Sequence, residues 1–148
     1  MIRHATKYDI PILVDMVQQY AKEFPSKLAQ QEKWFNKKYI QQLLMTLIAG
    51  RGFVLIDDDE RGFLAALILQ NLWYPELQEL SEIAWWVKPE HRNGSVGGKL
   101  WVMYDKEANK LKAEGRIHYS KTTITVSSPD INYEKRGYKK LETTYLKE

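Results

Sequence analysis

The sequence predicts an α/β chain of the α+β kind, folded as one domain over residues 1–148. Three observations carry this reading. Apolar residues recur at helical spacing in several separate segments. Short β-branched or aromatic runs, bounded by turn residues, alternate with them. No Pro-, Gly- or Ser-rich linker, internal repeat or low-complexity tract divides the chain, and its 148 residues suit a single core.

Ile2-Arg3-His4-Ala5 reads as a short first strand. Thr6 is an N-cap with Asp9 three residues on, a variant of the capping box, and Pro11 falls in the first turn, where its missing N–H costs little. Ile10, Leu13, Val14, Val17, Ala21 and Phe24 line one face of the first helix, which Pro25 ends. Residues 26–35 form an irregular link. Asn36 caps a second helix whose face is Ile40, Leu43, Leu44, Leu47 and Ile48, and Gly50 and Gly52 stop it. Phe53 to Ile56 is a strand, Asp57 to Gly62 a hairpin turn, Phe63 to Trp73 a longer strand, and Leu77 to Val87 the next. The Asp57–Gly62 turn lacks the spaced ligands of a calcium loop. Leu100 to Leu111 is a helix with Leu100, Met103, Tyr104, Ala108 and Leu111 on one face. Thr122 to Val126 reads as a strand, Pro129 to Arg136 as a short helix, and Gly137 to about Leu146 as a final strand. The order is β-α-α-β-β-β-α-β-α-β.

Composition narrows the chemistry. There are no cysteines, which excludes disulfides, thiolate metal sites and a cysteine nucleophile. No apolar run reaches membrane-spanning length, and no basic segment followed by an apolar core opens the chain, so a cytoplasmic protein with no membrane partner is expected. The three histidines are scattered, so no metal site is expected. Residues 1–87 hold nine basic and eleven acidic side chains, whereas residues 88–148 hold thirteen and eight. The basic half suits a polyphosphate ligand. No block of five or more basic residues occurs, so nucleic acid is not expected as a partner.

The basic half opens with a glycine-rich turn, Arg92-Asn93-Gly94-Ser95-Val96-Gly97-Gly98-Lys99, set between a strand and a helix. The first N–H groups of a helix lack intrahelical partners, and the helix dipole favours an anion there. Glycines let a ligand approach the backbone closely, and Arg92 adds a charge-assisted donor. The turn is neither a Walker loop nor a dinucleotide fingerprint, since it lacks a closing Gly-Lys-Ser/Thr and the Gly-x-Gly-x-x-Gly pattern.

Two motifs in this order resemble the GNAT (Gcn5-related N-acetyltransferase) family. Arg92-Asn93-Gly94-Ser95-Val96-Gly97 is similar to its Arg/Gln-x-x-Gly-x-Gly/Ala turn, with Ser95 in place of the first glycine, and Val87-Lys88-Pro89-Glu90-His91-Arg92 resembles the lead-in. Tyr133-Glu134-Lys135-Arg136-Gly137-Tyr138 resembles the signature near the family's C-terminus, and Ile2 to Ile10 its usual start. The resemblance implies a GNAT fold, a central mixed and mostly antiparallel sheet of six to seven strands flanked by about four helices. It implies acetyl-CoA as donor and an amine as acceptor, either a small molecule or a protein lysine or N-terminus.

The implied roles follow position. Trp85, Trp86 and Val87 would pair with the pantetheine arm, with the Val87 N–H at the thioester oxygen. Arg92, Asn93, Gly94, Ser95, Val96 and Gly97 would hold the pyrophosphate, with Gly98 and Lys99 next in line and Ser128 on the arm before Tyr133. Tyr133 is the candidate general acid. Glu82 is the candidate general base, with Glu79 or a water relay as alternatives; strand alternation groups it with Ala84 and Trp86, and a Trp neighbour raises a carboxyl pKa by desolvation. Trp73, Tyr74 and Glu79 are candidates for the acceptor pocket, with Tyr20, Trp86 and Glu76 nearby, whereas Phe24 and Trp34 are expected to pack the core. Proteins of this fold often dimerise, and the last strand is a candidate homodimer edge. A non-catalytic acyl-CoA-binding or interaction domain is the alternative, motivated by Ser95 and by the short Ser127–Asn132 segment.

Overall fold

The computed structural model describes residues 1–126 and 128–148. Five strands, β1 (Ile2–His4), β2 (Gly52–Asp57), β3 (Gly62–Gln70), β4 (Gln78–Val87) and β5 (Tyr119–Lys121), form one sheet in chain order. The first four are antiparallel, and β5 runs parallel to β4. Helices α1 (Ile10–Glu23) and α2 (Lys37–Thr46) cover one face, and α3 (Val96–Ala113) covers the other. The period of two sorts the side chains: Val54, Ile56 and Phe63 meet Leu13, Met16 and Leu44, while Leu55, Leu64 and Leu80 meet Leu100, Tyr104 and Leu111. A sheet covered on both sides has nearly continuous apolar strands, as β2 and β3 do. Among the described residues, no helix is long and apolar enough to cross a membrane.

The start and the helix ends follow local chemistry. Thr6 and Asp9 form the capping box, although the chain first makes one 3₁₀ turn (Lys7–Asp9) before α1. Asn36 Oδ1 accepts from the Tyr39 N–H and caps α2. A wide turn, Leu47–Arg51, then carries Gly50 at φ +127°, a conformation that side chains disfavour, into β2. Asn71 ends β3 earlier than its apolar run suggests, because its Oδ1 accepts from the N–H groups of Trp73 and Tyr74 and turns the chain.

The C-terminal third departs from the expected elements. The sheet has five strands among the described residues, not six or seven. The strand expected over Thr122–Val126 lies earlier, at Tyr119–Lys121, because β5 pairs only with Glu79–Ser81 before the two chains part. The expected helix from Pro129 shrinks to a 3₁₀ turn, Tyr133–Arg136, capped by Asn132 Oδ1 and ended by Gly137 at φ +88°. Residues 137–148 form no strand, so the proposed dimer edge is not present as a strand. Tyr138 packs against the core, but Leu141, Tyr145 and Leu146 are exposed, so the rest of the segment offers the sheet no apolar face. Glu148 instead anchors the segment, its carboxylate accepting from Ser26 Oγ and the N–H groups of Lys27 and Leu28.

One irregularity resets β4. Ala65 pairs with Ala84, but Ala66 pairs with Glu82, so Ile83 is an extra residue, a β-bulge. Paired residues share a face. Ala66 belongs to the α3 side and Ala65 to the α1–α2 side, so Glu82 points with Leu80 toward α3, while Ala84 and Trp86 point the other way. Simple alternation therefore misplaces Glu82 relative to Ala84 and Trp86.

Candidate active site

Beyond Ser81, no strand among the described residues pairs with the outer edge of β4, since β5 ends at Lys121. The Lys88 N–H donates to Arg61 O at 2.8 Å, which makes Gly62/Val87 a non-hydrogen-bonded pair. Trp86 is then spent on Phe63 of β3, while the backbone groups of Trp85 and Val87 face the open edge. Of the three residues expected to pair with a ligand arm, two are free to do so and Trp86 is not. Arg92 Nε already donates to Val87 O at 2.8 Å, which leaves the Val87 N–H.

A cleft of about 1680 Å³ runs along this edge. It lies between the end of α1, the strand edge at Trp85–Val87, the glycine turn, the start of α3, Thr125 and residues between Ser128 and Arg136. Arg92, Asn93, Gly94, Ser95, Gly97, Gly98, Lys99 and Ser128 all line it. Val96 does not: its side chain is buried in the core. Ser95 sits at the N-cap of α3 without a side-chain cap bond, and the Lys99 N–H is the first to bond back, to Ser95 O. The N–H groups of Val96, Gly97 and Gly98 thus lie at the positive end of the helix. A Cβ on Gly97 would meet Val87 Cγ2 at 3.4 Å and the Trp85 indole at 3.9 Å, so this glycine seats the helix on the strand. A Cβ on Gly98 would meet nothing within 4 Å, so that position opens onto the cleft. Ser128 Oγ accepts from the Thr125 N–H at 3.1 Å and closes a turn on the far wall.

Glu82 and Tyr133, neither of which lines the cleft, lie near each other where β4 and β5 separate. Glu82 is 9% exposed, and burial raises its pKa to about 7 against weaker opposing bonds from Thr123 and Thr122. Thr122 Oγ1 donates to Glu82 Oε1 at 3.3 Å. Among the described residues the buried Tyr133 hydroxyl has no hydrogen bond of normal geometry, although Thr122 lies near enough to influence its titration. Burial raises the Tyr133 pKa, and the Glu82 charge adds to it. Its ring packs on Trp101 at 5.3 Å between centroids, and Arg136 lies over the Trp101 ring at 5.6 Å.

The expected acceptor residues are dispersed. Trp73 and Tyr74 stand on the β3–β4 turn, 80% and 64% exposed, and do not line the cleft. Glu79 is engaged within the sheet: its oxygens accept from Lys121 Nζ at 2.6 Å and Tyr119 Oη at 2.8 Å, and these partners outweigh burial to hold its pKa below the usual range. Tyr20 and Phe24 pack edge to face at 6.1 Å and line the cleft with Trp86. Phe24 is therefore a wall of the cleft, and Trp34 is exposed beneath Lys33; neither packs the core as expected. His118 Nδ1 accepts from the Gln78 N–H and serves the sheet. Among the described residues no cluster of three His, Asp or Glu side chains is placed to hold a metal.

Glu23 is the residue that sequence reading passed over. Its Oε2 accepts from Trp86 Nε1 and Arg92 Nη2, each at 2.5 Å. It is the last residue of α1, where the helix dipole disfavours a carboxylate. A charge at the wrong end of a helix was the available signal.

No protein-family model matches the chain, and no curated protein matches it. Solved structures do. A "possible acetyltransferase" from Clostridium difficile 630 superposes with a TM-score of 0.68 at 14% identity, over 99% of this chain and 95% of that one. An acetyltransferase from Trypanosoma brucei gives 0.66 at 11% identity, over 100% and 98%. A "predicted acetyltransferase with acetyl-CoA" from Clostridium acetobutylicum gives 0.66 at 15%, over 99% and 95%. The chain has the fold of these acetyltransferases, an α+β GNAT fold.

Proposed function

We propose that the chain is an N-acetyltransferase that moves the acetyl group of acetyl-CoA to an amine by direct attack. The observation that carries this is the open edge of β4 ending at the N-terminus of α3, with a buried carboxyl and a buried phenol beside it. The fit to acetyl-CoA rests on groups of this chain. Gly98 leaves room against the helix N-terminus, the N–H groups of Val96 to Gly98 suit a pyrophosphate, and the edge groups of Trp85 and Val87 suit a pantetheine amide. Acetyl-CoA supplies the acyl group as an activated thioester.

The chain's own groups supply the rest. The Val87 N–H faces the open edge and donates to an oxygen that gains negative charge there. Glu82, poised near pH 7 by its burial, accepts the proton that an ammonium must lose before attack, directly or through a water. Tyr133 Oη keeps its proton at neutral pH and donates it to the departing thiolate. Arg92 has N–H groups beyond those bonded to Val87 and Glu23, and these suit a phosphate oxygen. The aromatic wall of Tyr20, Phe24 and Trp86 is the acceptor side.

A thermal-shift titration with acetyl-CoA, CoA and ATP, followed by an acetyl-transfer assay over an amine panel, tests the reading. Stabilisation by acetyl-CoA and CoA but not ATP is expected, growing with ligand concentration, together with transfer to at least one amine. Binding without transfer would leave a CoA-binding domain, and no binding would end the proposal.

A further inference from the structure

The hydroxyl of Thr122 has its hydrogen-bond direction dictated by a neighbour. An indole N–H only donates, and Trp101 Nε1 reaches Thr122 Oγ1 at 3.1 Å. Thr122 must accept there, so its single proton is left to give; Glu82 Oε1 lies 3.3 Å away to take it, and the nearby Tyr133 phenol has a proton of its own. The Thr123 N–H lies 3.5 Å from the same oxygen. Both donors thus hold the Oε1 side of the carboxylate, and neither reaches Oε2.

We infer that Thr122 is a positioning residue that aims the Glu82 carboxylate, fixing Oε1 and leaving Oε2 to take the proton. This rests on the reading of Glu82 as the base. The groups around Glu82 support it. Tyr20 from α1, Tyr104 from α3 and Tyr133 from the C-terminal turn face it as neutral phenols, each with a pKa raised first by burial. Lys121, adjacent in sequence to Thr122, spends its ammonium on Glu79. The Thr122 hydroxyl and the Thr123 N–H are therefore what favours the ionised form of Glu82. Thr122 reads as an ordinary β-branched strand residue in the sequence, and only the parting of β4 and β5 gives its hydroxyl this task.

The test follows the Glu82 carboxyl itself by carbon-13 NMR in protein labelled at glutamate, with Glu82→Gln assigning the signal. Thr122→Val and Thr122→Ala should raise the midpoint by about one pH unit, since a hydrogen bond to a charged group is lost. Thr122→Ser should restore it. The acid limb of kcat/KM should move upward with the midpoint, and turnover at pH 7 should fall, while KM for acetyl-CoA stays unchanged. Thr122→Ala carries the test if the Val variant folds poorly. An unchanged midpoint in Val and Ala, or a Ser variant that behaves like Ala, would overturn the inference even if melting temperatures drop. A wild-type protein that acetylates no amine would overturn the functional reading alone, because the titration still decides whether Thr122 controls Glu82.

Discussion

Glu23 and Arg92 lie 69 residues apart in the chain, yet Glu23 Oε2 accepts from Arg92 Nη2 at 2.5 Å. The pair fastens the end of α1 to the glycine turn across the mouth of the cleft. Both side chains are over two-fifths exposed, so solvent screens the attraction. A double-mutant cycle of Glu23→Ala and Arg92→Ala, read by denaturant unfolding, should give a coupling below about 1 kcal/mol. Calorimetry should instead show Arg92→Ala weakening CoA binding by roughly tenfold, the scale of one charge-assisted phosphate contact. Equal affinity in wild type and Arg92→Ala would remove Arg92 from the ligand site.

Glu82 links stability to pH with a definite sign. Its pKa rises from 4.5 to about 7 on folding, so the native state holds the extra proton between those values. Stability contributed by the protonated form is present below about 4.5 and is lost as pH climbs through 7. Glu82→Gln should therefore gain on wild type by roughly 3 kcal/mol between pH 4.5 and pH 8. Urea midpoints measured at both pH values check this, and parallel curves for the two proteins would show that Glu82 is not buried as described. The same substitution should reduce acetyl transfer by at least about a hundredfold, the usual contribution of a general base.

Tyr133→Phe separates fold from chemistry in the opposite way to a core mutation. A buried hydroxyl without a good partner costs stability, so removing it should leave the melting temperature unchanged or raise it, with a gain of up to about 1 kcal/mol. Turnover should fall by roughly a hundredfold. A large loss of stability with turnover preserved would mean that the phenol serves packing against Trp101 and no more.

Gly98→Ala exploits the empty space at that position. Alanine gains about 0.5–1 kcal/mol over glycine in a helix, and nothing lies within 4 Å of the added methyl. The variant should be more stable and bind acetyl-CoA more weakly, measured by melting temperature and calorimetry. Unchanged affinity would place the pyrophosphate away from the start of α3.

Much of this architecture is legible in the sequence because it rests on local chemistry and period. Thr6 and Asp9 form their cap, Asn36 caps α2, and the apolar faces of the first, second and long helices find the sheet. The glycine turn lines the cleft for the same reason, since strand, turn and helix are contiguous. What was hidden depends on contacts distant in sequence. The bulge at Ile83 shows only in the register of β3 and β4, and it moves Glu82 to the α3 face. Thr122 gains its task from Trp101, and Glu79 is drawn away from the cleft by Lys121. Trp73 and Tyr74 look like an aromatic wall in one dimension, but the Asn71 turn leaves them on the far tip of the hairpin. The C-terminal residues add no strand to the sheet; Tyr138, bonded to Ser120 and Asp105, and Glu148, bonded to the N–H groups of Lys27 and Leu28, hold them.

The open edge of β4 also has a colloidal meaning. Unpaired strand groups are a template for any other extended chain, and proteins usually blunt them with charge, a bulge or a covering segment. Here Ile83 bends the strand and Arg92 covers the Val87 carbonyl, but the N–H groups at Trp85 and Val87 stay presented. A ligand arm laid along this edge completes the sheet and shields it from other chains. The ligand-free protein should therefore self-associate more readily in concentrated solution, and saturating CoA should act as a solubiliser.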